Sequence, residues 1–566
     1  MAVTDAPQFD VIVVGSGMTG GWAAKELTEK GLRVLVLERG RNVEPGTDYL
    51  GEHMPPWRIP FGGLPVRALY QDQYAIQSRS FAFDETTRPF WNNDRDNPYI
   101  FDATQPFHWI RADVVGGRSL LWGRQCYRWS DLDFGANARD GHGTDWPIRY
   151  RDIAPWYRHV ERFIGVSGSV EGLPQLPDGD FLPPMEMYAA EKVAKHNIEA
   201  RFPGRKVIIG RCANLTQPHL GRAACHYCGI CARGCSTGSY FSSLSSTLPT
   251  ARATGNLTLI ADSVVEGLDY DRARKRVVGV RAIDTRSKTR KTYTSRAVFL
   301  CASTVGSVQI LLNSRSEGFP GGLGNHSGTL GHFLMDHWSN IFAVGLMPQL
   351  ATAYFEGLRP NGVYVPRFRN LSGQDADADF VRGYGFQGRA ACIDPKSLGM
   401  RMQGFGRAFK QSLREPAWIF WLAAFGECLP RRENAICLDA RSVDRFGIPQ
   451  VRFSFQWSDN ERKMTQDALS QGKAMLEAAG AQAVRNLEDA AVGGDSVHEM
   501  GGARMGNDPA QSVLNAWNQV HDIPNLYVAD GACMVSSSCV NPSLTYMALT
   551  ARAADHASTC LRARTI

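Results

Sequence analysis

The alternation of apolar and polar residues predicts strands and helices in turn at the start of this chain. An apolar run at residues 11–14 ends in a glycine-rich turn, and apolar residues then recur at helical spacing. A second apolar run, at 33–37, ends at Glu38. Short apolar runs bounded by turns are typical of buried parallel strands, so this pattern predicts a strand, a helix and a second strand.

The turn after the first run contains three glycines with distinct expected tasks. Gly15 allows a tight turn, Gly17 lets a pyrophosphate approach the backbone, and Gly20 lets the helix pack closely on the strand. The carboxylate of Glu38 stands where it can bind ribose hydroxyls, and it disfavours a 2′-phosphate. The pattern therefore predicts a site for FAD or NAD(H) rather than NADP(H). The alternative, a glycine turn in an ordinary α/β unit, does not account for the acid.

The same kind of pattern predicts the elements further along the chain. Polar and apolar residues alternate at 257–301, which predicts a three-stranded antiparallel meander followed by a buried strand. The strand-like block 342–455 predicts a separate antiparallel sheet, and its apolar stretch 417–426 is too short to span a bilayer and is interpreted as a buried strand. Helices are predicted at 152–166, 181–206, 303–312, 458–480 and 543–561, and a further strand at 525–530.

Paired glycines occur again in the segment 114–123. Gly116 and Gly117 are followed by small and polar residues, including Ser119. Backbone without side chains can lie directly against a ligand. We therefore expect Gly117 and Ser119 to contact the cofactor.

Length and charge narrow the class of protein. With 566 residues, the chain is long enough for two or more domains. The formal net charge of +6 comes from scattered basic residues, which weighs against a nucleic-acid partner and leaves a docking patch for an acidic partner open. The first residues contain no export signal, and no stretch is long and apolar enough to be a transmembrane segment.

Four of the thirteen cysteines are clustered, while the others are dispersed along the chain. Cys225, Cys228, Cys231 and Cys235 have the spacing of bacterial ferredoxins, in which thiolates ligate iron. In ferredoxins the fourth cysteine serves a second cluster, but this chain has no second set. The spacing predicts one iron–sulfur cluster with three or four of these ligands. Structural zinc, which prefers two separated pairs of thiolates, and unrelated free thiols are the alternatives.

Three features near the end of the chain carry a family resemblance. They are His498 followed by Glu-Met-Gly-Gly, the pair Asp530-Gly531, and the pair Asn541-Pro542. With the first glycine motif, the 116–123 loop and the 302–312 segment, they resemble the glucose-methanol-choline (GMC) family of FAD oxidoreductases. The resemblance covers most of the chain. It implies an α/β fold, with an FAD-binding Rossmann-like domain and an inserted antiparallel-sheet substrate domain.

The resemblance assigns roles to these residues. His498 matches the family's active-site histidine, and Asn541 matches the second member of the pair, which is histidine or asparagine in different branches. Asp530 and Gly531 match positions beside the FAD pyrophosphate, and Pro542 lies in the segment near the isoalloxazine ring. The implied chemistry needs a base for the hydroxyl proton while hydride leaves for flavin N5, and an imidazole is suited to this near neutral pH.

Other histidines and one leucine bear on the same site. Asn541 can orient the substrate oxygen without competing for its proton. The alternative to a catalytic role for the His498 segment is a structural one, as a turn that caps a helix. His332 and His337 could each face substrate or be structural. Leu121 stands where a histidine attaches FAD covalently in the pyranose-oxidising branch, so non-covalent FAD is expected.

The cysteine cluster adds a finer resemblance. At this place in the chain it resembles the cluster of bacterial membrane-linked sugar dehydrogenases, whose catalytic subunit holds FAD and an iron–sulfur cluster. In these enzymes a small partner carries the export signal and a cytochrome accepts electrons. The motif also resembles that of flavin-dependent glucoside 3-dehydrogenases, which make 3-keto sugars.

These inferences predict an FAD-dependent dehydrogenase that oxidises a secondary hydroxyl of a sugar or glycoside, with C3 as the first candidate. Electrons would leave through the cluster. An oxygen-using sugar or alcohol oxidase with structural zinc at the cysteines is the alternative, and a flavin-binding scaffold is a third. The expected location is the periplasm, reached by co-export with a partner subunit; the alternative is the cytoplasm. The FAD-binding domain is predicted at 1–45, 95–165, 210–340 and 490–566, and the substrate-binding domain with its excursions at 46–94, 166–209 and 341–489.

Overall fold

The computed structural model of the chain describes residues 8–350, 353, 357–371, 378–393, 405–412, 417–488 and 491–566. Parts of the strand-rich block predicted at 342–455 lie outside these described residues. Within the described ranges, no helix has both the length and the apolar character needed to cross a bilayer.

The strands and helices follow one another along the whole chain. The strands are β1 (Phe9–Val14), β2 (Val34–Leu37), β3 (Ile208–Ile209), β4 (Leu257–Ile260), β5 (Ser263–Asp271), β6 (Arg276–Asp284), β7 (Arg290–Tyr293), β8 (Ser295–Leu300), β9 (Trp338–Leu346), β10 (Val363–Val365), β11 (Tyr384–Ile393), β12 (Ala417–Gly426), β13 (Ala435–Val443), β14 (Pro449–Ser454), β15 (Gln482–Glu488), β16 (Gln519–Val520) and β17 (Ile523–Val528). The helices are α1 (Met18–Glu29), α2 (Asp131–Phe134), α3 (Ala136–Asp140), α4 (Tyr150–Ile164), α5 (Ala189–Arg201), α6 (Leu248–Ala253), α7 (Thr304–Asn313), α8 (Gly406–Ser412), α9 (Asp459–Ala478) and α10 (Ser543–Ala563).

A six-stranded sheet in the order β16-β17-β8-β1-β2-β4 is parallel except for β16. Its central strand β1 is fully buried at Val11, Ile12 and Val13 because helices cover the sheet, which explains the continuous apolar run. Helix α1 packs against α10 from the other end of the chain. The predicted strand, helix and strand at the start are confirmed.

A second six-stranded sheet, in the order β15-β9-β12-β11-β10-β3, is antiparallel. The apolar stretch 417–426 forms β12 near its middle, as predicted. Alternate residues of a strand face opposite sides. Trp418, Phe420 and Leu422 are buried in a core against α9, while Trp421 and Phe425 line the cavity described below.

The structure differs from the sequence-based expectation in three places. The predicted meander is formed by β5, β6 and β7, but β4 before it joins the parallel sheet because the chain turns at Asp262, whose φ is 53°. Strands β13 and β14 form their own hairpin rather than joining the second sheet. Only residues 189–201 of the predicted helix 181–206 are helical, and Pro183 and Pro184 disfavour helix at the residues before them. The domain boundaries stay predictions.

Candidate active site

One cavity of about 640 Å³ is lined both by the carboxyl ends of β1 and β2 and by the second sheet. Open parallel sheets bind ligands at this edge. The predicted site residues that line it are Gly15, Gly17, Glu38, Gly117, Ser119, His498, Asp530, Gly531 and Asn541. Gly20 and Pro542 stand just behind it, Gly20 in the first turn of α1 and Pro542 immediately before α10. Residues from both ends of the chain therefore meet in one chamber.

The first glycine motif forms an open cradle. Gly15 has a φ of 95°, and a side chain there would collide with the carbonyl oxygen of Cys301 at the end of β8. A side chain at Gly17 would meet no atom within 4 Å, so its backbone is open to the cavity. The free amides at the N-terminus of the twelve-residue helix α1 suit a phosphate group.

Glu38 directly follows the last residue of β2 and lines the cavity. One carboxylate oxygen accepts a hydrogen bond from the Ser16 amide at 2.9 Å, and the other accepts one from the Gly40 amide at 2.8 Å. Burial raises the pKa of this carboxyl group, and the hydrogen bonds from Ser16 and Gly40 oppose that rise. The oxygen that accepts from the Ser16 amide also accepts from the Ser16 hydroxyl at 2.5 Å, whereas the oxygen that accepts from Gly40 keeps a second lone pair and can also accept a ribose hydroxyl.

The loop of paired glycines lies against the cradle. Gly116 and Gly117 have φ values of 94° and 50°, and a side chain at Gly117 would contact the Gly17 Cα at 3.4 Å. The Ser119 hydroxyl donates to the Gly116 carbonyl at 2.6 Å and accepts from the Ser243 amide at 3.0 Å. Ser119 thus fixes the shape of the loop, and its contact with a cofactor stays a prediction.

Asp530 and Gly531 form the third place where the backbone lies directly against the cavity. Asp530 accepts hydrogen bonds from the Ala532 amide at 3.0 Å and from the Ser307 hydroxyl on α7, and burial raises its pKa to about 6. A side chain at Gly531 would collide with the Thr304 hydroxyl. The cradle, the acid and these side-chain-free approaches together fit a dinucleotide such as FAD.

His498 and Asn541 lie side by side in the same chamber. The Asn541 amide nitrogen is 3.3 Å from Nε2 of His498. The Gln387 amide on β11 donates to the Asn541 carbonyl oxygen at 2.7 Å. The pair predicted from sequence is therefore assembled, and Gln387 of the second sheet holds it from the other side.

The electrostatics of the chamber keep His498 neutral. Burial lowers the pKa of His498 well below its ordinary value, and His337 and Arg118 lower it further. A neutral imidazole is the form that accepts a proton. The free protein thus holds His498 in the state that a general base requires.

Of the two histidines left open by the sequence, only His337 contacts the pair. Its Nδ1 is 2.9 Å from Nδ1 of His498, and the residue is 1 % exposed. His332 instead bonds the Arg432 carbonyl near the surface. The short segment that contains both histidines gave no signal that separates them.

Arg118 and Glu499 form an ion pair that sequence reasoning missed. Two guanidinium nitrogens lie 2.7 and 3.1 Å from the two carboxylate oxygens, a bidentate arrangement. Both residues line the cavity, and the Glu499 side chain is buried. The pair neutralises a carboxylate next to His498. Nothing in the sequence pairs these two positions.

Aromatic side chains of the second sheet face the histidine. The Phe425 ring centroid is 6.2 Å from that of His498, and the Phe342 and Trp421 centroids are 6.3 Å apart. All three side chains line the cavity. They give the chamber an apolar wall that reaches His498 at Phe425, and the sequence did not single them out.

The cysteine loop does not form the predicted ligand set. All four cysteines, Cys225, Cys228, Cys231 and Cys235, are free and half-buried. The Cys225 sulfur accepts from the Tyr227 amide at 3.4 Å, and the Cys235 sulfur is 3.1 Å from the Thr237 hydroxyl, so these thiols take separate partners. Among the described residues, no three histidine, cysteine, aspartate or glutamate side chains are grouped so that they could hold a metal ion. The ligand set that the spacing predicts is therefore not assembled among the described residues.

Burial raises the pKa of Cys225 to about 11, and the charges of neighbouring thiols add to the rise. A thiol must lose its proton to ligate a metal. The surroundings of Cys225 therefore favour the protonated form of this thiol.

Comparison with protein families gives one result over most of the chain. The GMC oxidoreductase family models match residues 9–339 and residues 430–550. The first of these spans more than half of the sequence. It contains the glycine cradle, and the second contains His498 and Asn541.

Two curated relatives align over nearly their full length. A 2-methyl-1,2-propanediol dehydrogenase from Mycolicibacterium austroafricanum is 29% identical over 98% of this chain and 96% of its own. The fructose dehydrogenase large subunit from Gluconobacter japonicus is 26% identical over 96% of this chain and 97% of its own. Among solved structures, pyridoxine 4-oxidase from Mesorbium loti aligns with a TM-score of 0.59 over 97% of this chain and 98% of its own, at 15% identity. This last likeness concerns the fold alone.

Proposed function

Because the chain belongs to the GMC oxidoreductase family, whose members bind FAD and act on alcohol or sugar hydroxyls, we propose that it dehydrogenates a secondary hydroxyl of a sugar or glycoside. One observation carries the proposal. A buried, neutral His498 lies beside Asn541 in the chamber that also contains the dinucleotide cradle and the aromatic wall.

The chain's own residues would divide the work as follows. Bound FAD supplies an acceptor for the hydride. His498 takes the hydroxyl proton at its free nitrogen, and Asn541 donates a hydrogen bond to the same oxygen. Gln387 holds the Asn541 amide in the orientation that presents its N–H groups, since it donates to the Asn541 oxygen at 2.7 Å.

The substrate proposal rests on the wall of the chamber. Trp421, Phe425 and Phe342 offer ring faces for the apolar side of a pyranose, while Gln387 and Ser339 offer polar groups at the same lining. A sugar ring has such an apolar face and a rim of hydroxyls. The first candidate is C3 of a pyranoside, which would give a 3-keto sugar.

The experiment that tests this function is anaerobic reduction of the FAD-loaded protein by a panel of substrates. We expect a methyl β-glucoside to bleach the flavin absorbance and to yield a 3-keto product, because the wall accepts a ring. Bleaching by 1,2-propanediol alone, with no glycoside or sugar active, would contradict the sugar proposal and leave a diol as substrate. The matched control is 3-deoxyglucoside, which lacks the proposed hydroxyl.

The route of the electrons out of the protein is a separate part of the proposal. We propose that the cysteine loop binds an iron–sulfur cluster of three or four irons, supported by the spacing of its four thiols. Anaerobically purified protein should then contain about three or four iron atoms and acid-labile sulfide per FAD. Replacing Cys228 by serine should lower both, whereas replacing the dispersed, exposed Cys437 should change neither. Zinc instead of iron, with hydrogen peroxide formed in air, would favour the oxidase.

The proposed partners follow from the same reasoning. We propose a small subunit that bears an export signal, a cytochrome-type electron acceptor, and a periplasmic location reached by co-export. The support is that the relative from Gluconobacter japonicus is named as a large subunit.

A further inference from the structure

We propose that His337 is a positioning residue that fixes His498 in one tautomer, with a bare Nε2 toward the substrate. This inference rests on the proposed function, in which His498 is the base. A neutral imidazole carries one proton on either of two nitrogens, and only the nitrogen without it can accept another. A base of this kind therefore needs its tautomer fixed as well as its charge.

The tautomer of His337 follows from its backbone partners. Its Nε2 lies 3.1 Å from the Ser537 carbonyl oxygen and 2.9 Å from the Ser538 carbonyl oxygen. Carbonyl oxygens only accept, so Nε2 of His337 carries the hydrogen. Burial also lowers the pKa of His337 to about 4, so the ring is neutral near pH 7. Its Nδ1 is therefore a bare acceptor.

The tautomer of His498 then follows from that of His337. The two Nδ1 atoms are 2.9 Å apart, a distance at which one hydrogen must lie between them. His337 has none to give at that atom, so Nδ1 of His498 donates. Nε2 of His498 is left bare.

The hydrogen bonds on the opposite side of the His498 ring indicate the same tautomer independently. Gln387 donates to the Asn541 oxygen, which turns the Asn541 N–H toward Nε2 of His498 at 3.3 Å. An N–H group needs an acceptor there, which is the bare nitrogen. The reversed tautomer would set two lone pairs against each other at His337 and two N–H groups against each other at Asn541.

His337 and the adjacent Asp336 also hold the backbone segments that contain His498 and Asn541. The two carbonyls that His337 binds lie in the turn before Asn541, where Ser538 has a φ of 57°. Asp336 accepts from the His498 amide at 3.2 Å and from the Gly494 amide at 2.7 Å. The two adjacent residues thus fix the backbone of His498, its ring and the loop of Asn541.

The proton step balances within this arrangement. The O–H bond of the substrate breaks and an Nε2–H bond forms on His498, while the hydride leaves the carbon for FAD. The resulting imidazolium donates from Nδ1 to His337, and a hydrogen bond from a charged donor is stronger than the neutral one it replaces. His337 keeps its own hydrogen on Nε2, bound to the two carbonyls, and receives this hydrogen bond at its bare Nδ1.

The test uses two replacements of His337 with almost the same shape. In His337→Asn the side-chain oxygen can still accept from Nδ1 of His498, whereas in His337→Leu nothing can. Both lose the contact with the two carbonyls and leave a similar space, so structural damage is matched. His332→Gln, which changes a histidine of the same segment without contact to His498, is the control.

We expect His337→Leu to slow flavin reduction in the FAD-loaded protein by about a hundredfold at every pH, because the lost tautomer is not restored by deprotonation. His337→Asn should recover at least tenfold of this, with the KM of the sugar and the FAD content alike in the two variants. Equal rates for the two variants, or a rate for His337→Leu close to that of the native protein, would overturn the inference.

A second readout does not depend on turnover. Nitrogen chemical shifts of histidine-labelled holoenzyme report the tautomer of His498 directly, and the spectrum of His498→Gln assigns its signals. A protonated Nδ1 and a bare Nε2 are expected, and the reverse pattern would overturn the inference. Failure of the proposed function would appear differently, as undiminished sugar oxidation by His498→Gln.

Discussion

Replacing His498 by glutamine should lower the rate of flavin reduction by sugar about a thousandfold while the KM changes little. Glutamine can hydrogen-bond the substrate hydroxyl, but it cannot take its proton. The side chain remains polar and similar in length, so the contact with Asn541 is largely kept. Stopped-flow measurement of flavin bleaching gives this rate, and the FAD content of the variant checks that it is folded.

The lowered pKa of His498 also predicts how the rate of flavin reduction changes with pH. Burial lowers the pKa of His498, so the base stays unprotonated as the pH falls through the ordinary histidine value of 6.5. Protonation of His498 should therefore cause no fall in the native rate at that value and should lower the rate only below it. His326→Gln, which changes an exposed histidine paired with Asp522, should match the native protein throughout. A His498→Gln rate within tenfold of native would show that another group is the base.

Replacing Gly15 by alanine should yield a protein that is purified without FAD. The added methyl group would collide with the Cys301 carbonyl oxygen and force the ends of β1 and β8 apart at the cradle. The left-handed backbone adds a cost of about 1–2 kcal/mol for any residue with a Cβ. The ratio of flavin to protein absorbance measures the loss.

Gly31→Ala is the matched control for this experiment. Gly31 has a φ of 81°, close to the 95° of Gly15, but a side chain there would meet no atom within 4 Å. It should lose stability by about 1 kcal/mol, seen as a lower Tm, and keep its FAD. Equal FAD loss in both variants would mean that backbone strain, rather than closure of the cradle, is responsible.

The parts of the fold that follow local rules could be predicted from the sequence. The glycine turn before α1, the strand 417–426 and the helix start at Ser458 with Glu461 three residues later are all encoded within a few residues. The start of the meander was misplaced because β4 and β5 are separated by a single turn at Asp262, which apolar periodicity does not mark.

Residues of the candidate site could likewise be predicted where they lie within one local motif, but not where distant parts of the chain meet. Gly15 and Glu38 stand within one supersecondary unit, whose spacing defines their roles. His337 meets His498, and Arg118 meets Glu499, across separations that no local pattern records. The cysteine spacing favours a metal site, but the direction of each thiol depends on partners such as Thr237 that spacing does not specify.

The parallel sheet has a consequence for how the protein is made. Strand β1 is held between β2 and β8, and β8 pairs with β17, so the cradle at Gly15 is completed only by residues such as Asp530 and Asn541. At ribosomal speeds of about 5–20 residues per second, the early glycines wait about half a minute or longer for those partners. A nascent chain that has not yet reached Asp530 and Asn541 therefore has no finished pocket, and we expect it to bind FAD only after these residues have joined the cradle.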